Sequence, residues 1–189
     1  MLDSLLQSDK ELFLYLNGLG NTSWDGFWMG LSDKWTSIPL YLVLLFLSYK
    51  ALGLKRTLLL LGAVGILITV TDQLSNFFKY GVSRLRPCFE ADLQEQIRLV
   101  KGYCGGKFGF YSAHASNTMA VAVFFISLLG SRYRFLWPIL VLWSLAIAYS
   151  RVYIGVHYPL DILGGALAGL IIGWLFSRLY SLAVNKFNL

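Results

Sequence analysis

Residues 150–161 read SRVYIGVHYPLD and span the junction of two of the most apolar stretches of the chain, residues 135–153 and 158–182. These residues mark the point where one predicted membrane helix ends and the next begins. Four polar or charged residues gather at this junction: Ser150, Arg151, His157 and Asp161. Ionisable groups at membrane depth are costly and usually face a wet cavity, so the stretch predicts a functional site as well as a helix boundary.

The composition is that of an integral membrane protein. Hydrophobic residues make up 57% of the 189 residues and charged residues only 14%, whereas a soluble domain carries about 25% charged residues. The length fits a single membrane-embedded domain over residues 1–189. We therefore expect the bilayer as a partner and no nucleic acid, while the oligomeric state stays open. The N-terminal region has no basic start followed by an apolar run, so we expect no cleavable signal peptide.

Five segments are predicted to cross the membrane, which takes about 20 mostly apolar residues per helix. They cover residues 38–54, 57–80, 112–130, 135–153 and 158–182. Residues 1–36 mix leucines with charges and carry several tryptophans, which predicts amphipathic helices lying in the outer interface. The alternative for that region is a short and polar sixth span. The fold class is therefore expected to be an all-α membrane bundle.

The basic residues indicate the orientation of the bundle. Three regions hold seven basic residues and no acidic one: Lys50, Lys55, Arg56, Arg132, Arg134, Arg178 and Lys186. Because regions rich in Lys and Arg stay in the cytoplasm, the loop 81–111 and the junction 150–158 are predicted to lie outside, together with the N-terminus. The expected location is a bacterial inner membrane, with the site facing the periplasm.

Both cysteines, Cys88 and Cys104, lie in the outer loop 81–111. In an oxidising compartment we expect them to form a disulfide, which would stabilise the loop by roughly 3 kcal/mol; the alternative is two unpaired thiols. The part of the loop from 88 to 111 is either a lid over the site or an ordered surface loop.

A stripe of small residues runs along the last predicted span. Gly165, Gly169 and Gly173 recur at every fourth position, which lets another helix approach closely. We favour packing within one chain over a contact between two copies.

The outer ends of four predicted spans carry groups that suit a phosphate. These groups are Lys79 and Arg86, Ser112 with the backbone N–H groups that follow it, and Arg151. An arginine side chain can donate two hydrogen bonds to one phosphate, and the N-terminus of a helix favours a bound anion. The sequence therefore predicts an anion site where these ends meet.

The two histidines add reactive groups to this anion site. Asp161 can hold one ring nitrogen of His157 and leave the other free to attack phosphorus, and His114 is a candidate acid for the departing oxygen. Taken singly, each residue also has a structural explanation, such as an interfacial histidine or a snorkelling arginine. A metal site formed by both histidines and Asp161 is a further alternative, but three cations in the same place would repel a divalent ion.

Three motifs resemble those of the type 2 phosphatidic acid phosphatase superfamily of integral membrane lipid phosphatases. KYGVSRLRP (79–87) matches a lysine, six residues and Arg-Pro, and SRVYIGVHYPLD (150–161) matches Ser-Arg, five residues, His, three residues and Asp. YSAH (111–114) stands where the family has Pro-Ser-Gly-His, so Tyr111 and Ala113 depart from the pattern.

The resemblance implies a role for each motif residue. His157 would be the nucleophile and form a phosphohistidine, Asp161 would orient it, and His114 would protonate the leaving group. The phosphate would be bound by Lys79, Arg86, Ser112, the backbone of Ala113, and Arg151. Such enzymes need no metal or other cofactor.

The substrate is expected to be a lipid phosphate. Undecaprenyl diphosphate or phosphatidylglycerol phosphate is favoured, and phosphatidic acid and lipid A phosphate are the other candidates. Two other functions stay open: transfer of a phosphoryl or headgroup between lipids, and non-catalytic binding or transport of a lipid phosphate.

Overall fold

Helices account for most of the chain between residues 2 and 188, which are the residues that the computed structural model describes. They are α1 (Leu2–Gly18), α2 (Thr22–Ser32), α3 (Ile38–Leu52), α4 (Leu54–Val82), α5 (Ala113–Leu129), α6 (Leu136–Tyr153) and α7 (Pro159–Lys186). Single 3-10 turns cover Lys34–Ser37, Pro87–Phe89 and Ala91–Leu93. No β-strand occurs in the described part of the chain, which confirms the all-α prediction.

Four helical segments are long and apolar enough to cross a membrane: Lys34–Leu52, Leu54–Val82, Leu136–Tyr153 and Pro159–Lys186. The protein is therefore a multi-pass membrane protein. The fifth predicted span corresponds to α5, which is apolar but has only 17 residues. Whether α5 also crosses the bilayer stays a prediction.

Local sequence sets the ends of these helices. Gly53 has a φ of 80° and separates α3 from α4 in a turn that a side chain would strain. Ser112 is the N-cap of α5, and Pro159 opens α7, where its missing N–H costs no hydrogen bond.

The central helix of the bundle is α5. Buried side chains occur all round it and include Ala115, Val121, Phe124 and Phe125. Helices α3, α4, α6 and α7 all pack against it. A helix that is apolar on every side belongs in the core of such a bundle, so α5 is a fixed axis for the groups at its N-terminus.

The glycine stripe of α7 packs against α5, which confirms the prediction of packing within one chain. A methyl group added at Gly165, Gly169 or Gly173 would collide with a backbone carbonyl oxygen, that of the N-cap Ser112 for Gly165 and one within α5 for the other two. The two backbones therefore approach closely, as small residues at a membrane helix interface allow.

The N-terminal region forms two helices, α1 and α2, but one face of α1 is buried against protein rather than exposed to lipid. Asp9, Phe13 and Asn17, spaced i, i+4 and i+8, form this face. The Asn17 amide donates to the carbonyl oxygens of Val152 and Tyr153 at 3.1 and 2.8 Å. It thereby caps the C-terminus of α6. Placement of α1 and α2 in the membrane interface stays a prediction.

Candidate active site

The four helix ends that the sequence predicted to meet are brought together at one end of the bundle. The C-termini of α4 and α6 and the N-termini of α5 and α7 surround the site. One backbone bond joins two of them directly, because the N–H of Ser112 donates to the carbonyl oxygen of Asp161 at 3.0 Å. The start of α5 is thus fixed relative to the start of α7.

His157 and Asp161 form a buried pair. Nδ1 of His157 lies 3.3 Å from Oδ2 of Asp161, and the two residues are 2% and 0% exposed. The N–H of Tyr158 donates to the same carboxylate oxygen at 3.1 Å. With Nδ1 held by the carboxylate, Nε2 is the ring nitrogen left for chemistry.

His157 is surrounded by positive charge. Burial and the charges of Arg86, Arg151 and Lys79 hold the pKa of His157 well below its ordinary value of 6.5. The imidazole is therefore neutral at physiological pH. A neutral ring nitrogen can act as a nucleophile, whereas a protonated one cannot.

Two of the cations are themselves buried. Arg86 donates from Nε to the carbonyl oxygen of Phe108 at 3.1 Å and from Nη1 to that of Cys104 at 2.9 Å. Arg151 donates from Nη1 to the hydroxyl of Ser32, and its Nε has no partner among residues 2–188. A buried guanidinium with a free donor is suited to an anion that enters the site.

The N-terminus of α5 carries the other three predicted residues. Ser112 is fully buried, and its hydroxyl accepts weakly from the N–H of Ala115 at 3.5 Å. Ala113 begins the helix and is not among the residues of positive φ in the described chain. An alanine therefore fits here in place of glycine without backbone strain.

His114 lies close enough to Arg151 and His157 to interact with them electrostatically. It also lines a cavity of about 250 Å³. The wall of this cavity combines the polar residues Ser32, Asp33, Lys34 and Lys101 with the apolar Met29 and Ile154.

The outer loop between α4 and α5 is tied down at several points. Cys88 and Cys104 form the predicted disulfide, with their Cα atoms 6.1 Å apart, and Leu85 forms an isolated bridge with Phe108. A Cβ added at Gly109 would lie 2.8 Å from Oδ2 of Asp161. The loop is ordered in this structure, and Gly109 near its end packs closely against the His157–Asp161 pair.

Two residues of this region were not among the predicted site residues. Arg84 donates to Asp161 at 3.0 Å and to Asp9 at 2.6 Å. Arg84 lies two positions before Arg86, so its proximity to the site was foreseeable. Asp9 was not, because no local pattern places residue 9 against the start of α7.

The described residues contain no cluster of three or more histidine, cysteine or acidic side chains that could hold a metal ion. Chemistry without a metal remains a prediction, which the chelator experiment described below tests.

A helical membrane bundle in which a buried His–Asp pair faces three cations defines a class of enzyme that handles phosphate esters at a bilayer. The chain belongs to the PAP2 superfamily, whose family model matches residues 56–184. It is accordingly a membrane lipid phosphatase, and the resemblance drawn from the three motifs is confirmed.

Two relatives match almost the whole chain. The lipid A 4'-phosphatase of Porphyromonas gingivalis is 35% identical over 188 residues, covering 98% of this chain and 78% of the relative. The lipid A 4'-phosphatase of Bacteroides thetaiotaomicron is 37% identical over 178 residues, covering 93% and 78%.

A solved structure shares the fold. The transmembrane PAP2 type phosphatidylglycerolphosphate phosphatase from Bacillus subtilis superposes with a TM-score of 0.71 at 19% identity, covering 93% of this chain and 86% of that chain.

Proposed function

We propose that the protein removes a phosphate monoester from the headgroup of lipid A, or of a closely related phosphorylated glycolipid, through a phosphohistidine on His157. The observation that carries the proposal is the buried His157–Asp161 pair, whose members lie 3.3 Å apart and face three cations. Support for the substrate comes from the two relatives that match nearly the whole chain, both named lipid A 4'-phosphatases.

In the first half of the reaction, Nε2 of His157 attacks phosphorus and the bond to the leaving oxygen breaks. His114 gives its proton to that oxygen, so the lipid departs as a neutral alcohol. The phosphoryl oxygens are bound by Lys79, Arg86, Arg151, Ser112 and the N–H of Ala113. Fixed donors of this kind stabilise the charge of the transition state.

In the second half, water attacks the phosphohistidine and releases inorganic phosphate. His114, now deprotonated, accepts the proton of that water and returns to its starting state. Asp161 holds the Nδ1 proton throughout and stabilises the positive charge on the ring of the phosphorylated intermediate.

The cavity beside His114 supports a glycolipid in particular. Because His114 would protonate the leaving oxygen, the leaving group must lie on the His114 side of the site. The wall there contains a hydroxyl, a carboxylate and two lysines, Ser32, Asp33, Lys34 and Lys101. Such groups can bind sugar hydroxyls and a further phosphate, whereas a diacylglycerol would leave most of them without a partner. Lipid A phosphate thus moves ahead of the two substrates favoured by the sequence.

We further propose that α5 is a fifth membrane span and that the site faces the periplasm across the inner membrane. The seven basic residues of the predicted cytoplasmic regions support this orientation, and all lie away from the helix ends that carry His114 and His157.

Phosphate release from a panel of lipids in detergent tests the function. The panel holds lipid A bearing its 4'-phosphate, undecaprenyl diphosphate, phosphatidylglycerol phosphate and phosphatidic acid, each with excess chelator. We expect lipid A phosphate to have the highest kcat/KM, and His157→Ala to reduce turnover by at least about 10³-fold, since it removes the nucleophile.

The matched control is Arg132→Gln, an exposed change in the α5–α6 turn, which should leave turnover unchanged. Loss of activity in chelator, or full activity of His157→Ala, would contradict the mechanism. Mass spectrometry of the lipid products separates hydrolysis from transfer to a second lipid. Tight lipid binding without any product would instead favour a binding or transport protein.

A further inference from the structure

A carboxylate of the first helix is buried next to the site, although the reaction proposed above does not use it. Asp9 is 5% exposed and lies in the middle of α1, outside every candidate membrane span. A buried carboxylate is costly unless it is paired and hydrogen-bonded. Its partners therefore indicate why it is there.

Asp9 holds two groups that belong to the catalytic end of the bundle. Its Oδ1 accepts the N–H of Leu160, in the first turn of α7, at 2.9 Å. Its Oδ2 accepts Nη2 of Arg84 at 2.6 Å. The other terminal nitrogen of Arg84, Nη1, donates to Oδ1 of Asp161 at 3.0 Å. One guanidinium thus bridges two carboxylates, which its planar fork of donors allows and a single ammonium group does not.

The two oxygens of Asp161 have different partners. Oδ1 faces Arg84, whereas Oδ2 accepts the Tyr158 N–H and contacts Nδ1 of His157. The guanidinium of Arg84 also stacks over the ring of Tyr158, 4.2 Å from its centroid. Arg84 is therefore held from two sides, and it fixes the rotation of the carboxylate that orients His157.

We propose that Asp9 is a positioning residue for the phosphatase reaction: by holding Arg84, it fixes the Asp161 carboxylate and, through it, the ring of His157. The inference rests on the proposed role of His157 as nucleophile. With a neutral side chain at position 9, Arg84 would no longer pair with Asp9, and its positive charge would act on Asp161 alone. Asp161 would then be a weaker acceptor for the Nδ1 proton of His157, and Nε2 would be less often unprotonated and correctly aimed.

The test is Asp9→Asn in the full-length protein in detergent micelles. Asparagine has nearly the same shape and can still accept from Leu160, but it lacks the charge that holds Arg84. We expect kcat to fall by about tenfold or more, because small misplacements of a reacting group are costly. We expect KM to stay within about twofold, since no phosphate ligand is changed.

Nitrogen-15 NMR of labelled histidine supplies a second readout that a purely structural role would not change. The fraction of His157 with its proton on Nδ1 should fall in Asp9→Asn. The matched control is Asp3→Asn, the same substitution on the same helix at an exposed position, which should leave kcat, KM and the tautomer unchanged.

A second variant, at Arg84, distinguishes the positioning role from a loss of folding. Arg84→Lys keeps the charge but cannot bridge both carboxylates, so it should reproduce the defect of Asp9→Asn. The double variant should be no worse than the more damaged single one, because both act through the same contact.

A kcat for Asp9→Asn equal to that of Asp3→Asn would overturn the positioning role, as would a lower melting temperature with an unchanged tautomer. These outcomes differ from failure of the proposed function, in which the wild-type protein itself would release no phosphate from any lipid of the panel.

Discussion

His157 has to stay neutral in a place that is crowded with positive charge, and the same charge makes it neutral. Burial and the charges of Arg86, Arg151 and Lys79 disfavour the protonated ring and lower its pKa well below 6.5. As the pH falls through 6.5, an exposed histidine would become half protonated, but His157 would keep its nucleophilic form. The cations proposed to bind the phosphate would thus also protect His157, the proposed nucleophile, from protonation.

This predicts an NMR titration without a midpoint near pH 6.5 for His157. The chain has only two histidines, so His114→Gln assigns the signals. Arg86→Gln should raise the pKa of His157, because removing a neighbouring positive charge stabilises the protonated ring. Arg132→Gln is the control for a charge lost elsewhere. A wild-type midpoint near 6.5, or equal pKa values in the two arginine variants, would contradict this interpretation.

At the scale of single residues, the sequence predicted the groups whose spacing is local. His157 and Asp161 lie only four positions apart, on either side of the N-cap of α7 at Tyr158, so a short stretch of chain brings them together. Arg84 and Asp9 are separated by 75 residues along the chain. Their ion pair depends on how α1 docks on the bundle, and no periodic pattern carries that information.

At the scale of helices, the contact between α5 and α7 sets the precision of the site, because these helices carry His114 and Asp161. Gly169→Ala would place a methyl group against the backbone of Ser116 and Ala120. Overpacking of this kind costs about 1–3 kcal/mol, and relief by moving α7 would widen the gap between His114 and His157. We expect a lower melting temperature and slower phosphate release, measured on the same preparation.

The matched control is Gly65→Ala in α4, where an added Cβ would have no atom within 4 Å. Since alanine favours a helix over glycine by about 1 kcal/mol, this variant should melt at the wild-type temperature or above it. A Gly169→Ala protein as stable as Gly65→Ala would show that α7 can shift without cost.

Helix positions were well predicted from hydropathy, whereas helix ends were less so. The segment expected at 57–80 is the helix Leu54–Val82, and that expected at 158–182 is Pro159–Lys186. Both helices continue past their apolar stretch, because polar residues near a membrane surface keep the helical hydrogen bonds. Gly53 separates α3 from α4 although the first predicted span, 38–54, ran past it, and Pro159 begins α7.

At the scale of the whole molecule, the number of spans determines which turns share a side of the membrane. If α5 crosses the bilayer, the α3–α4 and α5–α6 turns both face the cytoplasm. Single cysteines at Lys55 and Ser131 should then react with an impermeant maleimide only after permeabilisation. A cysteine at Glu95, in the outer loop, should react in intact cells, and the native Cys88–Cys104 pair is protected as a disulfide.

Labelling of position 131 in intact cells together with position 95 would mean that α5 does not cross. Labelling of positions 55 and 131, but not of position 95, in intact cells would mean that the whole bundle is inverted.

The arrangement of the molecule as a whole was the part least accessible from sequence. The N-terminal region was expected to lie on the membrane, and one face of its first helix, α1, is buried against the ends of α6 and α7. A segment that mixes tryptophans and leucines with charged residues can pack equally well against the membrane surface or against the rest of the protein. Only the buried polar stripe of α1, with Asp9 and Asn17, distinguishes a protein surface from a lipid one.

The close packing of α5 against α7 limits how a lipid substrate can enter the site. Two backbones in contact leave no gap for an acyl chain, so a lipid cannot reach His157 from that flank. A cavity of about 260 Å³ lined by Tyr41, Thr118 and Ile147 also reaches His114 and lies on the opposite flank of α5. Substrates are thus expected to enter laterally from the membrane leaflet, with their acyl chains still in the bilayer. Turnover would then depend on the surface concentration of the lipid in the membrane rather than on its bulk concentration in water.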